Sequence, residues 1–158
     1  MPEHAAACRA RHARNPNTKI FELAISDHAG TAEIFVGGPL STMSAQALEL
    51  FQTFSWAQGF HSGRKVMVQQ NTLDQFLEAC AIQPGFDVLS IDVEGFELNV
   101  MRGFSLARWA PRLVIVELHD ENDAYVAVQD QCRAVAAIFA AHQYRVVFKD
   151  KTNTVYVR

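Results

Sequence analysis

The sequence predicts an α/β domain with a mostly parallel sheet, on three observations. Short apolar runs alternate with stretches of helical period along most of the chain, which is the pattern of strands joined by helices. Two of those runs, Val88–Ile91 and Leu113–Val116, are almost wholly apolar, as strands covered on both faces are. Each ends among acids, and the carboxyl ends of strands are where open parallel sheets bind ligands. At 158 residues, the chain is expected to be one domain spanning 1–158.

The elements follow in order. Glu3–Arg14 is Ala-rich and reads as a helix with a basic outer face, ended by Asn15-Pro16-Asn17. Lys19–Ser26 and Thr31–Val36 read as strands on either side of the turn Asp27-His28-Ala29-Gly30, together a hairpin or a strand that doubles back. Leu40–Gly63 is a long connection with a short helix marked by Leu48, Leu50, Phe51 and Phe54. Its aromatic cluster, Phe54, Trp56 and Phe60, is either loop packing or a lid over a site, and His61 in it reads as solvated.

Lys65–Gln70 reads as a strand, and Thr72 with Gln75 three residues later has the form of a capping box. Leu73, Phe76, Leu77 and Cys80 then give an amphipathic helix, Leu73–Ala81, stopped by Pro84-Gly85. After Val88–Ile91, a helix with the stripe Leu98, Met101 and Phe104 is expected, with Gly103 as its C-terminal cap. Leu113–Val116 is the next strand, and a charge placed at Ile115 is expected to unfold the chain. Tyr125, Val128, Cys132, Val135 and Phe139 mark the longest helix. Tyr144–Phe148 and Thr154–Val157 form a C-terminal antiparallel hairpin across Asp150-Lys151-Thr152-Asn153.

Composition excludes several classes. A formal net charge of −3 gives no reason to expect nucleic acid or a membrane surface as partner. No apolar run approaches the ~20 residues that span a bilayer. The three cysteines, Cys8, Cys80 and Cys132, are far apart, each on a predicted helical apolar face. They suggest neither a metal knuckle nor a disulfide framework, so a reducing cytoplasm is the expected compartment.

The chemistry concentrates at Asp92 and Glu94, which follow the Val88–Ile91 strand with Gly95 in the turn and Glu97 opening the next helix. Carboxylates in that position bind a divalent cation through oxygen or take a proton from a hydroxyl; equally, one caps the helix and the other is solvated. If the two apolar strands are neighbours, Glu117, His119 and Asp120 lie beside Asp92. Asp92, Glu94 and His119 are therefore the catalytic candidates, and Asp92 and Glu94 the metal candidates.

Thr72-Leu73-Asp74, Asp87 through Glu97 with its Ile91-Asp92-Val93-Glu94-Gly95 core, Met101-Arg102-Gly103, Val114-Ile115-Val116-Glu117, and Leu23 through Gly30 resemble the FkbM-type methyltransferases. The resemblance covers nearly the whole chain. It implies a Rossmann-like class I domain that uses S-adenosylmethionine, with Mg2+ as an optional second cofactor. The partner it implies is a small-molecule hydroxyl acceptor on a sugar or secondary metabolite. By the same resemblance Asp92 lies near methyl donor and acceptor, Glu94 binds metal or activates the hydroxyl, and Ser26 and Asp27 lie near the adenine.

The family's sheet order, 3-2-1-4-5-7-6, opens with two strands, a Gly-rich turn and a ribose-binding acid that this sequence does not show. Pro2-Glu3 fits the helix after the second strand, and Met1 stands where the acid belongs. The fold expected is thus an incomplete one, its fourth strand an open edge across a gap of about 10 Å at ~4.8 Å per strand. A second function follows from that edge: a non-catalytic, methyltransferase-like module that oligomerises or pairs with a partner through it.

Overall fold

A computed structural model describes residues 2–158, with the side chains of Pro2 and Glu3 left out of the description along with Met1. The reading of Met1-Pro2-Glu3 against the family's ribose acid therefore lies outside the described side chains. The described residues form a mixed α/β structure of seven strands in two separate sheets. Helix α1 (Pro2–Arg11) is followed by β1 (Ala24–Ser26), β2 (Gly30–Phe35), α2 (Ala45–Thr53), β3 (Lys65–Thr72) and α3 (Leu73–Ala79). Then come β4 (Val88–Ile91), α4 (Glu97–Arg102), α5 (Leu106–Trp109), β5 (Leu113–Glu117), α6 (Gln129–Ala141), β6 (Arg145–Lys149) and β7 (Asn153–Val157).

The small sheet has the order β1-β3-β2, which corrects the expected hairpin. Strand β1 runs parallel to β3 and β2 antiparallel to it, so that Gln70 faces both Ala24 and Gly30. Asp27-His28-Ala29 crosses the end of β3 instead of turning back beside β1. Three extended residues reach about 10 Å, enough to step over one intervening strand. His28 Nε2 lies 2.8 Å from Gln70 Nε2 at the crossing. Only the last three residues of the predicted Lys19–Ser26 strand pair with a neighbour.

The larger sheet has the order β4-β5-β7-β6. Strands β4 and β5 pair in parallel, with Ile91 opposite Val116; β7 is antiparallel to both β5 and β6. The expectation of a mostly parallel sheet is thereby corrected: the C-terminal hairpin forms as predicted, and its strand β7 inserts between β5 and β6.

One face of this sheet carries the core. Val114 and Val116 are fully buried there, and Tyr156 stacks on Phe139 of α6 at 4.2 Å between ring centroids. The other face is open. Val88, Val147 and Phe148 are 56%, 46% and 53% exposed, and Ile115, which shares the Ser90 face, is only partly buried. Val88–Ile91 is thus covered on one face, not two, and Ile115 is not the deep core position; its neighbours Val114 and Val116 are. Strand β4 is also a free edge, with no bulge and no charge within it. The opposite edge, β6, is broken by a bulge between Val146 and Phe148 and carries Arg145 and Lys149.

Local signals explain the helix boundaries. Thr72 Oγ1 accepts from Gln75 N at 3.1 Å, the predicted cap of α3. Asp74 Oδ1 then accepts from Ser105 N (2.8 Å) and Trp109 Nε1 (2.9 Å), tying α3 to α5. The predicted longest helix begins later than its apolar period suggests, because residues 123–128 form a 3₁₀ turn broken at Tyr125 (φ −111°, ψ 23°). Helix α1 is exposed along most of its length and is joined to the segment before β1 by an Arg9–Glu22 ion pair. Cys8 on it is exposed, against expectation, whereas Cys132 is buried.

Gly103 is at the C-cap of α4, but with φ −93° it needs no left-handed freedom. It is required by proximity: a Cβ there would collide with the carbonyl oxygen of Ser26. Gly103→Ala should therefore cost about 1–3 kcal/mol through forced backbone displacement. A chemical-denaturation midpoint equal to that of the parent would refute the contact.

Candidate active site

The β4–β5 register sets Ile91 beside Val116, so the residues that follow, Asp92 and Glu117, leave the sheet side by side. The backbone then turns sharply. Glu94 and Gly95 both have positive φ, 54° and 84°, and for a glutamate that conformation carries a strain of order 1–3 kcal/mol. The turn is held from outside. Thr42 Oγ1 donates to Glu94 O at 2.7 Å, and Ser44 N donates to Thr42 Oγ1 at 2.9 Å. Ser44 also caps α2. Helix α2 sits so close that a Cβ on Gly95 would lie 2.6 Å from Ala47 Cβ.

The turn aims Glu94 back over the strand tips. Carboxylate oxygens of Asp92, Glu94 and Glu117 all lie within 4.8 Å of one another. Glu97 adds a fourth acid, buried, accepting from Val93 N (3.3 Å) and Gly95 N (3.1 Å) through Oε1. Like charges this close resist ionisation. Burial, then repulsion from Glu117, Asp92 and Glu97, pushes Glu94 up to about 8. Burial also lifts Glu97 to about 7, against the pull of its backbone donors. Loss of water and the nearby Glu117, with which it shares a hydrogen bond, raise Asp92.

His119 answers the negative charge. Its Nε2 is 3.2 Å from Glu117 Oε1 and its Nδ1 is 3.2 Å from Lys151 O in the β6–β7 turn. Burial alone would lower its pKa, but the bond to Glu117 and that carboxylate's charge more than offset this and the imidazole is raised. When charged, it donates from both nitrogens. Tyr125 lies flat on the ring, 3.7 Å between centroids. Glu94, Glu97 and Glu117 line a narrow pocket of about 20 Å³ that also reaches Leu98, Cys132 and Val135, room for about one water. Asp92 also lines a wider cleft of about 250 Å³ between β1 and the turn after β4, with Ile25, Ile34, Met43, Val93 and Phe96.

Of the residues singled out by sequence, the structure thus brings Asp92, Glu94 and His119 together. Ser26 and Asp27 stand elsewhere, at the end of β1 by the C-terminus of α4. Ser26 is buried and donates to Asp27 Oδ1 (3.1 Å), which also meets His28 Nδ1 (2.6 Å). That imidazole holds the Asp27 carboxyl below its usual range. Asp27 opens onto a separate groove with Thr72, Asp74 and Arg102. Asp120, expected beside Asp92, turns to Lys149 instead (2.7 Å). His61, read as solvated, is half-buried against Gly37 and lies 2.9 Å from Leu40 O.

Sequence reasoning placed Glu117 near Asp92 but not among the working acids; strand pairing alone decides that. Thr42 and Tyr125 were missed as parts of the site. Thr42 lies 52 residues from Glu94 in sequence, and Tyr125 fits a helical period that the backbone does not follow.

The raised acids make stability pH-dependent. Glu94 and Glu97 keep their protons in the folded chain to about 8 and about 7, but lose them near 4.3 when unfolded. Between those limits the folded state binds more protons, so stability falls as pH rises. Melting temperature should drop from pH 5 to pH 9, and Glu94→Gln should flatten the drop. A melting temperature that rises over this range would contradict the cluster's geometry.

Comparison with known proteins adds one finding. Residues 2–146 match the family model described as the methyltransferase FkbM domain. No curated protein and no solved structure matches the chain.

Proposed function

The chain belongs to the FkbM methyltransferase family, and from that premise we propose that it is an O-methyltransferase in which Glu94 takes the acceptor's proton. The observation that carries this reading is Glu94 itself, a carboxyl raised to about 8 beside Asp92 and Glu117 at the carboxyl ends of two parallel strands. A base near that strength suits a hydroxyl far better than an ordinary carboxylate does. The strand order β4-β5-β7-β6 supports reading the larger sheet as the 4-5-7-6 half of a Rossmann-like methyltransferase sheet, with β1 in the place of its third strand.

The residues present suit the family's cofactor. The cleft beside Asp92 offers apolar walls, Ile25, Val93 and Phe96, and a carboxylate in its lining, which match a nucleoside bearing a sulfonium charge. Asp92 would face that charge; Ser26 and Asp27, the adenine candidates by family resemblance, do not line this cleft, and Asp27 opens onto the separate groove. S-adenosylmethionine, when bound, supplies an electrophilic methyl group. The Glu94 carboxylate would take the proton of the acceptor, a sugar or secondary-metabolite hydroxyl, whose oxygen would gain the methyl as the S–CH3 bond breaks and S-adenosylhomocysteine leaves. Asp92 and Glu117 orient the hydroxyl, and His119 offsets their charge. The three oxygen donors within 4.8 Å also suit Mg2+, with Asp92 and Glu94 as ligands.

A second reading has its own observation. The edge of β4 is unpaired and apolar, and the sheet face beside it exposes Val88 and Phe148. Both favour a module that pairs with another chain, a second copy included, through that edge. No helix among the described residues is long and apolar enough to cross a membrane.

Calorimetric titration with S-adenosylhomocysteine, with and without Mg2+, tests both readings. Micromolar binding is expected if the chain is a methyltransferase, and tighter binding with Mg2+ if the acids hold the ion. No binding by a folded chain that sediments as a dimer would favour the pairing module instead. Once an acceptor is found, Glu94→Gln should lower transfer by about 10²–10⁴-fold; unchanged turnover would remove Glu94 as the base.

A further inference from the structure

The imidazole of His119 is fixed at both nitrogens, by Glu117 and by Lys151 O. Together with the covalent link through Cβ, these bonds set the plane of the ring within the play that hydrogen-bond angles allow. The Tyr125 ring limits that play, lying parallel within 16° at 3.7 Å. Tyr125 is itself placed from two directions. Its own turn is set by Asn122, whose carbonyl accepts from Tyr125 N at 2.8 Å and whose side chain caps Ala124 N at 3.1 Å. The second direction is the segment after α2. Phe54 packs on Tyr125 (5.2 Å, 47°) and Trp56 stacks on Phe54 (5.5 Å, 15°).

The four rings thus form a continuous column from the acids to the surface, where Trp56 is 58% exposed. Beyond these rings the connection runs on through Gly59 and Gly63, both at positive φ with open space where a Cβ would sit. It is pinned where His61 fills the notch over Gly37 and lies stacked on Phe51 at 6.1 Å. The segment meets Tyr125 through Phe54, Ala57 is buried in the cluster of Leu40, Ala47 and Phe51 against which Tyr125 also packs, and Trp56 faces solvent.

We propose that Tyr125 is a positioning residue that couples the seating of residues 54–57 to the orientation of His119, and through it to Glu117 in the acid cluster. The inference rests on the reading of that cluster as catalytic only for its consequence: whatever seats the 54–57 segment as the acceptor arrives also sets the acids. The coupling itself is a property of the stacked rings.

The test reads the His119 ring protons by NMR, assigned from their loss in His119→Gln. Tyr125→Phe should leave them in place, because the stacked ring remains. Tyr125→Leu should move them downfield as the shielding ring is lost. Trp56→Ala is the deciding arm, since Trp56 is two rings removed; it should shift the His119 signals in the same direction by a smaller amount. His119 signals unmoved in Trp56→Ala, or moved equally by Tyr125→Phe and Tyr125→Leu, would overturn the proposal. If Tyr125→Leu does not fold, Phe54→Leu replaces it, with a downfield shift expected and an unmoved signal overturning the coupling. Titration of the parent chain with S-adenosylhomocysteine keeps the two readings apart: absent binding with coupled His119 signals would sink the methyltransferase reading and leave the ring column standing.

Discussion

Everything at this site depends on a single ladder. The parallel pairing of β4 with β5, Ile91 beside Val116, places two acidic strand tips at one point. Two carboxylates there would ordinarily spread apart, since like charges at such distances cost several kcal/mol unless one is protonated or a cation intervenes. The chain instead adds a third acid by forcing Glu94 into a left-handed turn, and holds it with Thr42. The expense in electrostatics and backbone strain is offset by the apolar layer below. Val114, Val116, Leu118 and Val135 bury almost completely there, each worth roughly 1.5–3 kcal/mol.

Much of this was legible in the residues. The two apolar strands, the acids after them, the α3 cap at Thr72 and the C-terminal hairpin all follow from local pattern, and local pattern is set by backbone geometry that neighbours share. The matched family was legible too, because Asp92-Val93-Glu94-Gly95 sits in a long context of similar order. What local pattern does not carry is which strand lies beside which. Strands β1 and β2 read as a hairpin because a four-residue turn joins them, yet β3 enters between them. Leu113–Val116 reads as doubly covered because its residues are all apolar, yet an apolar residue has no way to record that one of its faces has no neighbour.

The misplaced residues share a cause. Gly103 looks like a conformational cap and is in fact a spacing requirement against Ser26. Tyr125 looks like the first core position of a helix and is in fact a stacking partner of His119. Ser26 and Asp27 reach the same helix α4 as Asp92 does, but at its opposite end. In each case one-dimensional periodicity names an apolar or polar role correctly while the three-dimensional contact supplies its purpose.

The unequal edges of the larger sheet have a consequence for assembly. Growth of a sheet into a filament requires two open edges, one to receive and one to offer. Here β6 is closed by its bulge and its Arg145 and Lys149, so strands added to β4 by another copy's β4 would end the sheet at both outer limits. Pairing of this sheet through β4 would therefore favour two chains over a fibre, because the bulged and charged opposite edge is a poor template for a further strand.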